Sequence, residues 1–215
     1  MPRGLGLIEK LKKFGISNIE LDWFKNYLKD RKQVVDINGH LSPPADIDIS
    51  VLQGSILGPI LFLCFINDLG TATDLFTLLF ADDTCALAAD NDLDRLITKC
   101  NAELGKISVW LRANKLAVNV SKCKFILFHN KGKNISLNNL HLVFNLNDPG
   151  QNDKDKIVPL ERIHNHNPNP ESRYYKYLGI LLDETFSLNY HYDLICKKIS
   201  KGLFCLRRSK NILNV

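Results

Sequence analysis

Two apolar segments separated by three residues constrain the fold of this chain more than any other feature. Leu75 to Phe80 and Thr84 to Ala89 are rich in strand-forming residues, and Ala81-Asp82-Asp83 between them is short enough for a tight turn. These segments predict a β-hairpin that carries two adjacent carboxylates at its tip. Two such carboxylates repel each other and are costly to desolvate together, so a fold that fixes them on a rigid turn usually has a cation to offset them. Their oxygens suit Mg²⁺.

Two other interpretations of Asp82-Asp83 compete with the metal site. An Asp-Asp dipeptide is more often a solvated turn when nothing else supports a function. Paired aspartates also occur at strand ends of phospho-receiver domains, which are built on parallel sheets. The short turn between two apolar strands, with no βαβ run around it, argues against a phospho-receiver domain.

The rest of the chain alternates helices with hairpins, which predicts an α+β domain. Asn38-Gly39 is a hairpin signal because both residues tolerate a positive φ. The expected helices are residues 7–14, which end at Gly15, then residues 21–28, 56–66, 93–111 and 188–206. Asp90 to Asp92 are expected to supply the N-cap of the helix at 93–111. The expected strands are residues 33–37, 46–51, 75–80, 84–89, 125–128 and 177–182.

The segment from Lys131 to Ser172 differs in composition from the residues around it. Asn, Asp, Pro and His dominate there, which is typical of an insertion with loose ends. Two short apolar runs, Leu140 to Leu146 and Ile157 to Ile163, are expected to form a protruding hairpin within it.

Charge and cysteine content restrict the class of protein. The net charge of +5 suits a polyanionic partner without proving one. None of the six cysteines forms a C-x-x-C pair, so no zinc site is indicated, and a reducing, intracellular setting is expected. No secretory signal opens the chain, and the apolar run Ile56 to Ile66 is too short to cross a membrane.

Five ordered motifs give the carboxylate pair a context. Together they resemble the reverse transcriptases of non-LTR (LINE or jockey-like) retrotransposons over nearly all of the chain, the 131–172 segment excepted. The motifs are Phe14-Gly15-Ile16 with Trp23-Phe24 and Arg31-Lys32-Gln33; Leu52-Gln53-Gly54-Ser55 with Asn67-Asp68; Phe80-Ala81-Asp82-Asp83; Asn114-Lys115-Leu116 with Lys122; and Tyr177-Leu178-Gly179 with Asp183 and His191.

The resemblance implies a function and a set of site residues. The function is RNA-directed DNA polymerisation from an RNA template, a DNA primer and deoxynucleoside triphosphates, with Mg²⁺, or Mn²⁺ as an alternative, as the cofactor. Asp82 and Asp83 match the catalytic metal-binding pair. The other assignments are Gln53, Gly54, Phe80 and Lys122 for template and nucleotide binding, and Tyr177, Leu178 and Gly179 for the primer grip.

The resemblance also implies an architecture: a polymerase palm with an antiparallel sheet packed on helices, followed by the start of a helical thumb. The expected parts are a partial palm at residues 1–130, a variable polar insertion at 131–172, and a primer-grip hairpin with the start of the thumb at 173–215. Lys197, Lys198 and Lys201 on the last helix are expected to contact the nucleic-acid backbone. Trp23 and Trp110 are expected to lie in the core.

The family's third metal-binding aspartate precedes the first helix, and its fingers lie upstream as well. The first aspartate of this sequence is Asp22, which lies on an expected helix and is a poor substitute. We therefore expect the chain alone to lack useful polymerase activity. Two alternatives stay open, a catalytically dead remnant that at most binds nucleic acid and a translated fragment of a decayed element.

Overall fold

The computed structural model describes residues 5–46, 54–129, 140–147 and 156–213. The chain divides into two compact units, Met1–Val118 and Asn119–Val215. The first unit contains four helices and six strands among its described residues: α1 (Leu5–Lys13), α2 (Asn18–Leu28), β1 (Lys32–Gln33), β2 (Asp36–Ile37), β3 (His40–Leu41), β4 (Ala45–Asp46), α3 (Leu57–Ile66), β5 (Phe76–Phe80), β6 (Asp83–Leu87) and α4 (Leu93–Ala113).

Helices α1, α2 and α3 enclose the core of the first unit. Leu11 and Leu61 are almost fully buried there, and burying a leucine contributes about 1.5–3 kcal/mol. The chain leaves α1 as the sequence predicts: Gly15 has φ +88°, its N–H bonds to the Lys12 carbonyl, and the Ile16 N–H bonds to the Leu11 carbonyl. This is a Schellman motif, which only glycine adopts without strain.

The expected hairpin at Asn38-Gly39 is present. Both residues have positive φ, and Ile37 pairs with His40 across the turn. The return strand begins at His40 rather than at Asp46, because the two-residue turn lets pairing resume at once; β4 then pairs with β1. Residues 47–51 of the expected return strand lie outside the described residues.

Helix α3 is only partly the buried helix that its apolar sequence suggests. Leu61 and Ile66 face the core, whereas Ile60 and Leu63 are about half exposed. A 3₁₀ turn, Asn67–Thr71, leads from α3 towards β5. The expected helix caps at Asp90 to Asp92 are confirmed at Asp92, whose carboxylate accepts a hydrogen bond from the Arg95 N–H at the start of α4.

The second unit has six strands and one helix among its described residues. They are β7 (Lys124–Ile126), β8 (Val143–Asn145), β9 (Ile157–Pro159), β10 (Glu161–Ile163), β11 (Tyr175–Tyr177), β12 (Ile180–Leu182) and α5 (Asn189–Leu213). Its buried apolar side chains are Leu140, Phe144, Ile163 and Leu181. The expected hairpin from the two apolar runs is confirmed, because β8 pairs antiparallel with β9.

The described strands form no single antiparallel sheet, in contrast to the expected palm. They pair two by two, and β7 pairs in parallel with β10. The fold as a whole is mixed α and β. Residues 161–163 lay within the expected loose insertion, yet Ile163 is buried at 2% exposure, so this strand is integral to the second unit.

The final strand and helix also differ in detail from expectation. Residues 177–182 are not one strand: they turn at Leu178-Gly179, so that β11 and β12 form a hairpin. Helix α5 is amphipathic as expected, but most of its apolar face is exposed, including Ile199 and Leu203. No helix in the described part of the chain is long and apolar enough to span a membrane.

Candidate functional site

The β5–β6 hairpin places the two aspartates at its tip. All five residues of β5 pair with β6, from Phe76 opposite Leu87 to Phe80 opposite Asp83. Asp83 is therefore the first residue of β6, and the turn consists of Ala81 and Asp82 alone. Ala81 has φ +51°, a conformation that costs a non-glycine residue roughly 1–2 kcal/mol. Strain of this kind persists only where the surrounding pairing imposes it.

Asp82 and Asp83 are both exposed. Neither carboxylate makes a hydrogen bond or an ion pair with another described residue, and the Phe80 side chain opposite Asp83 is 61% exposed. The hairpin thus presents two adjacent carboxylates whose lone pairs are available to a ligand. Carboxylate oxygens are donors that Mg²⁺ prefers, although Mg²⁺ usually takes one or two carboxylates and completes its shell with water and phosphate.

Among the described residues, no group of three or more His, Cys, Asp or Glu side chains could hold a metal ion. The donor set at the hairpin tip is therefore chemically right for Mg²⁺ and consists of two carboxylates.

Glu103 of α4 anchors the base of the hairpin, and sequence reasoning missed it. Although only 5% exposed, it accepts hydrogen bonds from the Thr73 hydroxyl (2.8 Å) and the Asp74 N–H (2.7 Å), and it pairs with Lys106 at 2.7 Å. The hydrogen bond from Lys106, followed by that from the Asp74 backbone, lowers the pKa of Glu103 to about 2. The sequence did contain a clue to this anchor, because Glu103 lies between Cys100 and Ile107 on the apolar face of α4.

The 3₁₀ turn approaches the same hairpin closely. A Cβ added to Gly70 would lie 2.9 Å from the Thr77 Oγ1 of β5, so the turn can lie this near the strand only because residue 70 has no side chain.

A buried lysine, also missed, joins α1 to the end of α3. The Lys10 Nζ lies 2.6 Å from Asp68 and 2.6 Å from the Phe65 carbonyl oxygen. The same ammonium lies over the rings of Phe65 (4.3 Å) and Trp110 (4.7 Å). Asp68, which belongs to one of the five sequence motifs, therefore has a structural partner within the chain.

The expected template loop is described only in part. Gln53 lies outside the described residues. Gly54 is exposed with φ +82°, and apart from its chain neighbours no atom of the described residues lies within 4 Å of the position that a Cβ would take there. The Ser55 hydroxyl accepts a hydrogen bond from the Gly58 N–H (2.9 Å) and so caps the start of α3.

The remaining expected site residues belong to the second unit. Lys122 is exposed at the end of a 3₁₀ turn, Val120–Lys122. Tyr177 ends β11 and is partly buried, whereas Leu178 and Gly179 form the turn with φ +45° and +90°. Leu178 is a bulky residue in a left-handed conformation, which is uncommon.

Asp183 organises the loop between this hairpin and α5. It is 1% exposed, and its carboxylate accepts five hydrogen bonds from the 185–188 segment: from the N–H and hydroxyl of Thr185, the N–H and hydroxyl of Ser187, and the N–H of Leu188. Burial raises the pKa of Asp183, but these hydrogen bonds outweigh it and hold the pKa below its usual value.

Glu184 beside it is also buried and also satisfied. It lies 3.1 Å from the Arg162 guanidinium and accepts a hydrogen bond from the Asn165 N–H at 3.0 Å. A second pair, Lys124 with Glu161, joins the parallel strands β7 and β10. The hydrogen bond from Lys124 is the main cause that lowers the pKa of Glu161.

The three lysines expected to contact nucleic acid are exposed on α5. Lys197, Lys198 and Lys201 form no ion pair with a described carboxylate. Further along the helix, the Arg208 guanidinium lies over the Phe204 ring at 5.6 Å.

Comparison with known proteins identifies relatives of the chain. The family model described as reverse transcriptase (RNA-dependent DNA polymerase) matches residues 6–182. The RNA-directed DNA polymerase from mobile element jockey of Drosophila melanogaster is 26% identical over 175 residues, which cover 78% of this chain and 16% of that protein. The probable RNA-directed DNA polymerase from transposon BS of the same organism is 28% identical over 131 residues, covering 54% of this chain and 14% of that protein.

No solved structure matches the chain. The chain spans about a sixth of the length of the curated relatives it matches. Because the family model covers most of the sequence, from the first helix to the hairpin before α5, the chain belongs to the reverse transcriptase (RNA-dependent DNA polymerase) family.

Proposed function

We propose that this chain is the palm-centred part of the RNA-directed DNA polymerase of a non-LTR retrotransposon, with Asp82 and Asp83 as its metal-binding pair. One observation carries the proposal: in a chain of this family, two adjacent carboxylates stand exposed and unpartnered, among described residues, at the tip of a fully paired hairpin. Two other exposed acids of this unit, Asp22 and Asp74, each have a lysine partner within 3 Å.

Asp82 and Asp83 would hold divalent cations, Mg²⁺ or Mn²⁺. When bound, such ions lower the pKa of the attacking 3′-hydroxyl and neutralise the charge that develops on the leaving pyrophosphate. The protein's own contribution is rigidity: the five-residue pairing of β5 with β6 and the anchoring of its base by Glu103 fix where the carboxylates stand.

The remaining roles rest on the family's motifs. Gln53, Gly54, Phe80 and Lys122 would bind template and nucleotide, and a glycine at 54 lets the backbone approach a ligand closely. Tyr177, Leu178 and Gly179 would form the primer grip. The unpaired lysines of α5, the proposed start of the thumb, would contact template–primer phosphates without reading sequence. The proposed palm (1–130), insertion (131–172) and thumb start (173–215) follow the motifs, and their boundary at 130 differs from the division between the compact units at 118 and 119.

Two carboxylates position a catalytic metal less firmly than three, so we expect the isolated chain to extend a primer poorly. The second candidate is therefore a remnant that binds nucleic acid without catalysis. The specific observation in its favour is that the described residues bring no third acidic, cysteine or histidine ligand into a group with Asp82 and Asp83.

Primer extension on an RNA template with Mg²⁺ tests the proposal. The purified chain is compared with Asp82→Ala and with Asp22→Ala, a matched aspartate control whose exposed carboxylate pairs with Lys25. Extension that Asp82→Ala abolishes and Asp22→Ala leaves intact would establish the polymerase. Extension that survives Asp82→Ala would refute the assignment of the catalytic pair.

A duplex-binding assay decides between the polymerase and the remnant when no extension is seen. Binding of a primer–template duplex that weakens with salt, and that becomes both weaker and less salt-dependent in a variant with Lys197, Lys198 and Lys201 all changed to Gln, would support the remnant. Removing one lysine that binds a phosphate should lower the slope of log affinity against log salt by roughly 0.9. A chain that neither extends a primer nor binds duplex would contradict both candidates.

A further inference from the structure

Two planar side chains on the outer face of α2, and a third just after the helix, form a row. The Trp23 and Tyr27 rings are stacked, with centroids 5.3 Å apart and planes 12° from parallel. The Arg31 guanidinium lies over the same Tyr27 ring at 5.3 Å. The spacing of four residues along α2 brings Trp23 over Tyr27, whereas Arg31 lies beyond the end of α2 at Leu28 and reaches back over the Tyr27 ring.

This stack is held rigidly to the protein. Tyr27 packs against the core cluster that contains Leu21 and Leu61. The Arg31 Nε donates a hydrogen bond to the Tyr27 carbonyl oxygen at 2.8 Å, which fixes the guanidinium over the ring. The Trp23 and Phe24 rings meet edge to face, with centroids 5.1 Å apart. These side chains are therefore already ordered in the free protein, so a ligand loses little binding free energy in ordering them.

The sequence pattern predicts that Trp23 lies in the core, and that prediction was wrong. Trp23 is 51% exposed, because α2 turns only the side containing Leu21 and Phe24 towards the core. One ring face is covered by Tyr27, and half of the side chain stays open to solvent.

Arg31 gives the stack a cation that can meet an anionic partner, although the exposed acids Glu20, Asp22 and Asp30 lie on the same segment. The Arg31 guanidinium has no carboxylate within ion-pair distance among the described residues. Lys29 and Lys32, close to Arg31 in the sequence, are exposed, and their nearest carboxylates lie 3.8 and 3.9 Å away. Ion pairs of this length at the surface stabilise little, so both lysines can exchange their carboxylate for a phosphate.

We propose that Trp23, Tyr27 and Arg31 form a stacking platform for an unpaired base of single-stranded nucleic acid, with the neighbouring cations on its phosphates. Every base has a flat π face, so an aromatic ring next to cations binds single strands without selecting a sequence. Arginine planes and aromatic rings are both known partners of splayed-out RNA bases. The inference rests on the proposed function insofar as an RNA template supplies the single strand.

An apolar protein partner would use the surface differently. It would also cover Ile19, one turn before Trp23 and 83% exposed, and it would have no need of the Arg31 guanidinium. The stacked arginine is what favours a base over an apolar helix.

The chain has two tryptophans, which gives a direct optical test. In Trp110→Phe, all tryptophan emission comes from Trp23, and a base stacked on the indole should quench it. Short unstructured oligouridylate is titrated into this variant, and its binding is measured in parallel by anisotropy of a labelled oligonucleotide. Quenching and anisotropy should report the same midpoint.

Affinity measurements on the otherwise unchanged chain remove any dependence on Trp110→Phe folding correctly. Trp23→Leu keeps an apolar side chain and removes the plane, and it should weaken oligouridylate binding by about tenfold. Arg31→Gln should weaken binding and lower the salt slope by roughly 0.7. Phe14→Leu is the matched control, because Phe14 is 53% exposed and lies off the stack; it should change the affinity less than about twofold.

Two results would overturn the platform. One is Trp23 emission that stays constant while anisotropy shows saturation; the other is a Trp23→Leu affinity equal to that of Phe14→Leu. Self-association that changes in Trp23→Leu with no change in oligouridylate affinity would assign the surface to protein contacts instead. Asp82-dependent primer extension is measured separately, so the platform can fail while the polymerase assignment stands, and the reverse.

Discussion

Two pairs of adjacent acidic residues have opposite environments in this molecule. Asp82 and Asp83 are exposed and without partners among the described residues. Asp183 and Glu184 are 1% and 7% exposed, and every approach to them is occupied by donors: backbone N–H groups, two hydroxyls and the Arg162 guanidinium.

The difference teaches that the donors around an acid, rather than the acid itself, decide its role. A buried carboxylate without donors costs several kcal/mol, so the 185–188 segment must fold onto Asp183 for that residue to be buried at all. The hairpin tip offers no such donors, and its carboxylates keep their capacity to bind a ligand.

The largest effect should appear when the same substitution is made in each pair. Asp183→Ala removes five hydrogen bonds and leaves buried donors unpaired, so we expect it to lower the free energy of unfolding by about 3–5 kcal/mol. Asp82→Ala should change it by less than about 0.5 kcal/mol. Urea denaturation followed by circular dichroism measures both. Equal losses in the two variants would erase the distinction between the pairs.

The Arg162–Glu184 pair allows a sharper version of the comparison. Arg162→Met leaves Glu184 buried without its cation and should cost about 3 kcal/mol. The double variant with Glu184→Met should recover most of this loss, since two apolar side chains of similar volume need no charge compensation. A double variant no more stable than Arg162→Met would show that the pair itself, and not only the uncompensated charge, holds the loop.

Acid titration tests a third partnered carboxylate, Glu103. Its pKa is about 2 in the folded protein, against an ordinary value of 4.5. Because the folded pKa is the lower one, the stabilisation is complete above about pH 4.5 and disappears as the pH falls towards 2.

Glu103→Gln keeps the shape of the side chain and removes its charge. It should lower the free energy of unfolding by about 1–2 kcal/mol at neutral pH and make stability less dependent on pH below about 4.5. Thermal denaturation at a series of pH values, followed by tryptophan fluorescence, measures both proteins. A profile of unchanged steepness in Glu103→Gln would assign the acid sensitivity to other carboxylates.

The smallest change in stability is expected at the turns of the β5–β6 and β11–β12 hairpins, where Ala81 and Leu178 have positive φ. Asparagine tolerates this conformation better than either residue. Leu178→Asn and Ala81→Asn should each therefore raise the free energy of unfolding by about 0.5–1 kcal/mol. Gly179→Ala is the opposite control and should destabilise, since Gly179 has φ +90°. Destabilisation by both asparagine variants would indicate that the turns are not strained.

Local features of this fold could be predicted because they depend on neighbouring residues. The Gly15 helix end, the Asn38-Gly39 turn, the Asp92 cap and the acidic hairpin all follow from residues a few positions apart. Pairing between distant segments could not be predicted. Residues 161–163 were expected to belong to a hairpin within the insertion, whereas they pair in parallel with β7, 37 residues earlier.

In the candidate site, too, the local features could be predicted and the long-range contacts could not. The position of Asp82 and Asp83 on a hairpin tip followed from the apolar segments around them, whereas the anchors Glu103 and Lys10 depend on contacts 29 to 58 residues apart. Trp23 was misplaced because helical periodicity marks an apolar stripe without showing how much of it the core covers. The metal, template and primer roles remain predictions.

The parallel pairing of β7 with β10 has a consequence for how this unit can vary among relatives. Both ends of the connecting stretch are fastened, by the strand pairing and by the ion pair between Lys124 and Glu161. Closing a longer connection costs little entropy, only about 0.6 kcal/mol for each doubling in length. Insertions between the two strands that leave β8 and β9 in place should therefore be tolerated over a wide range, and even a small domain grafted there should leave the hairpin that precedes α5 intact.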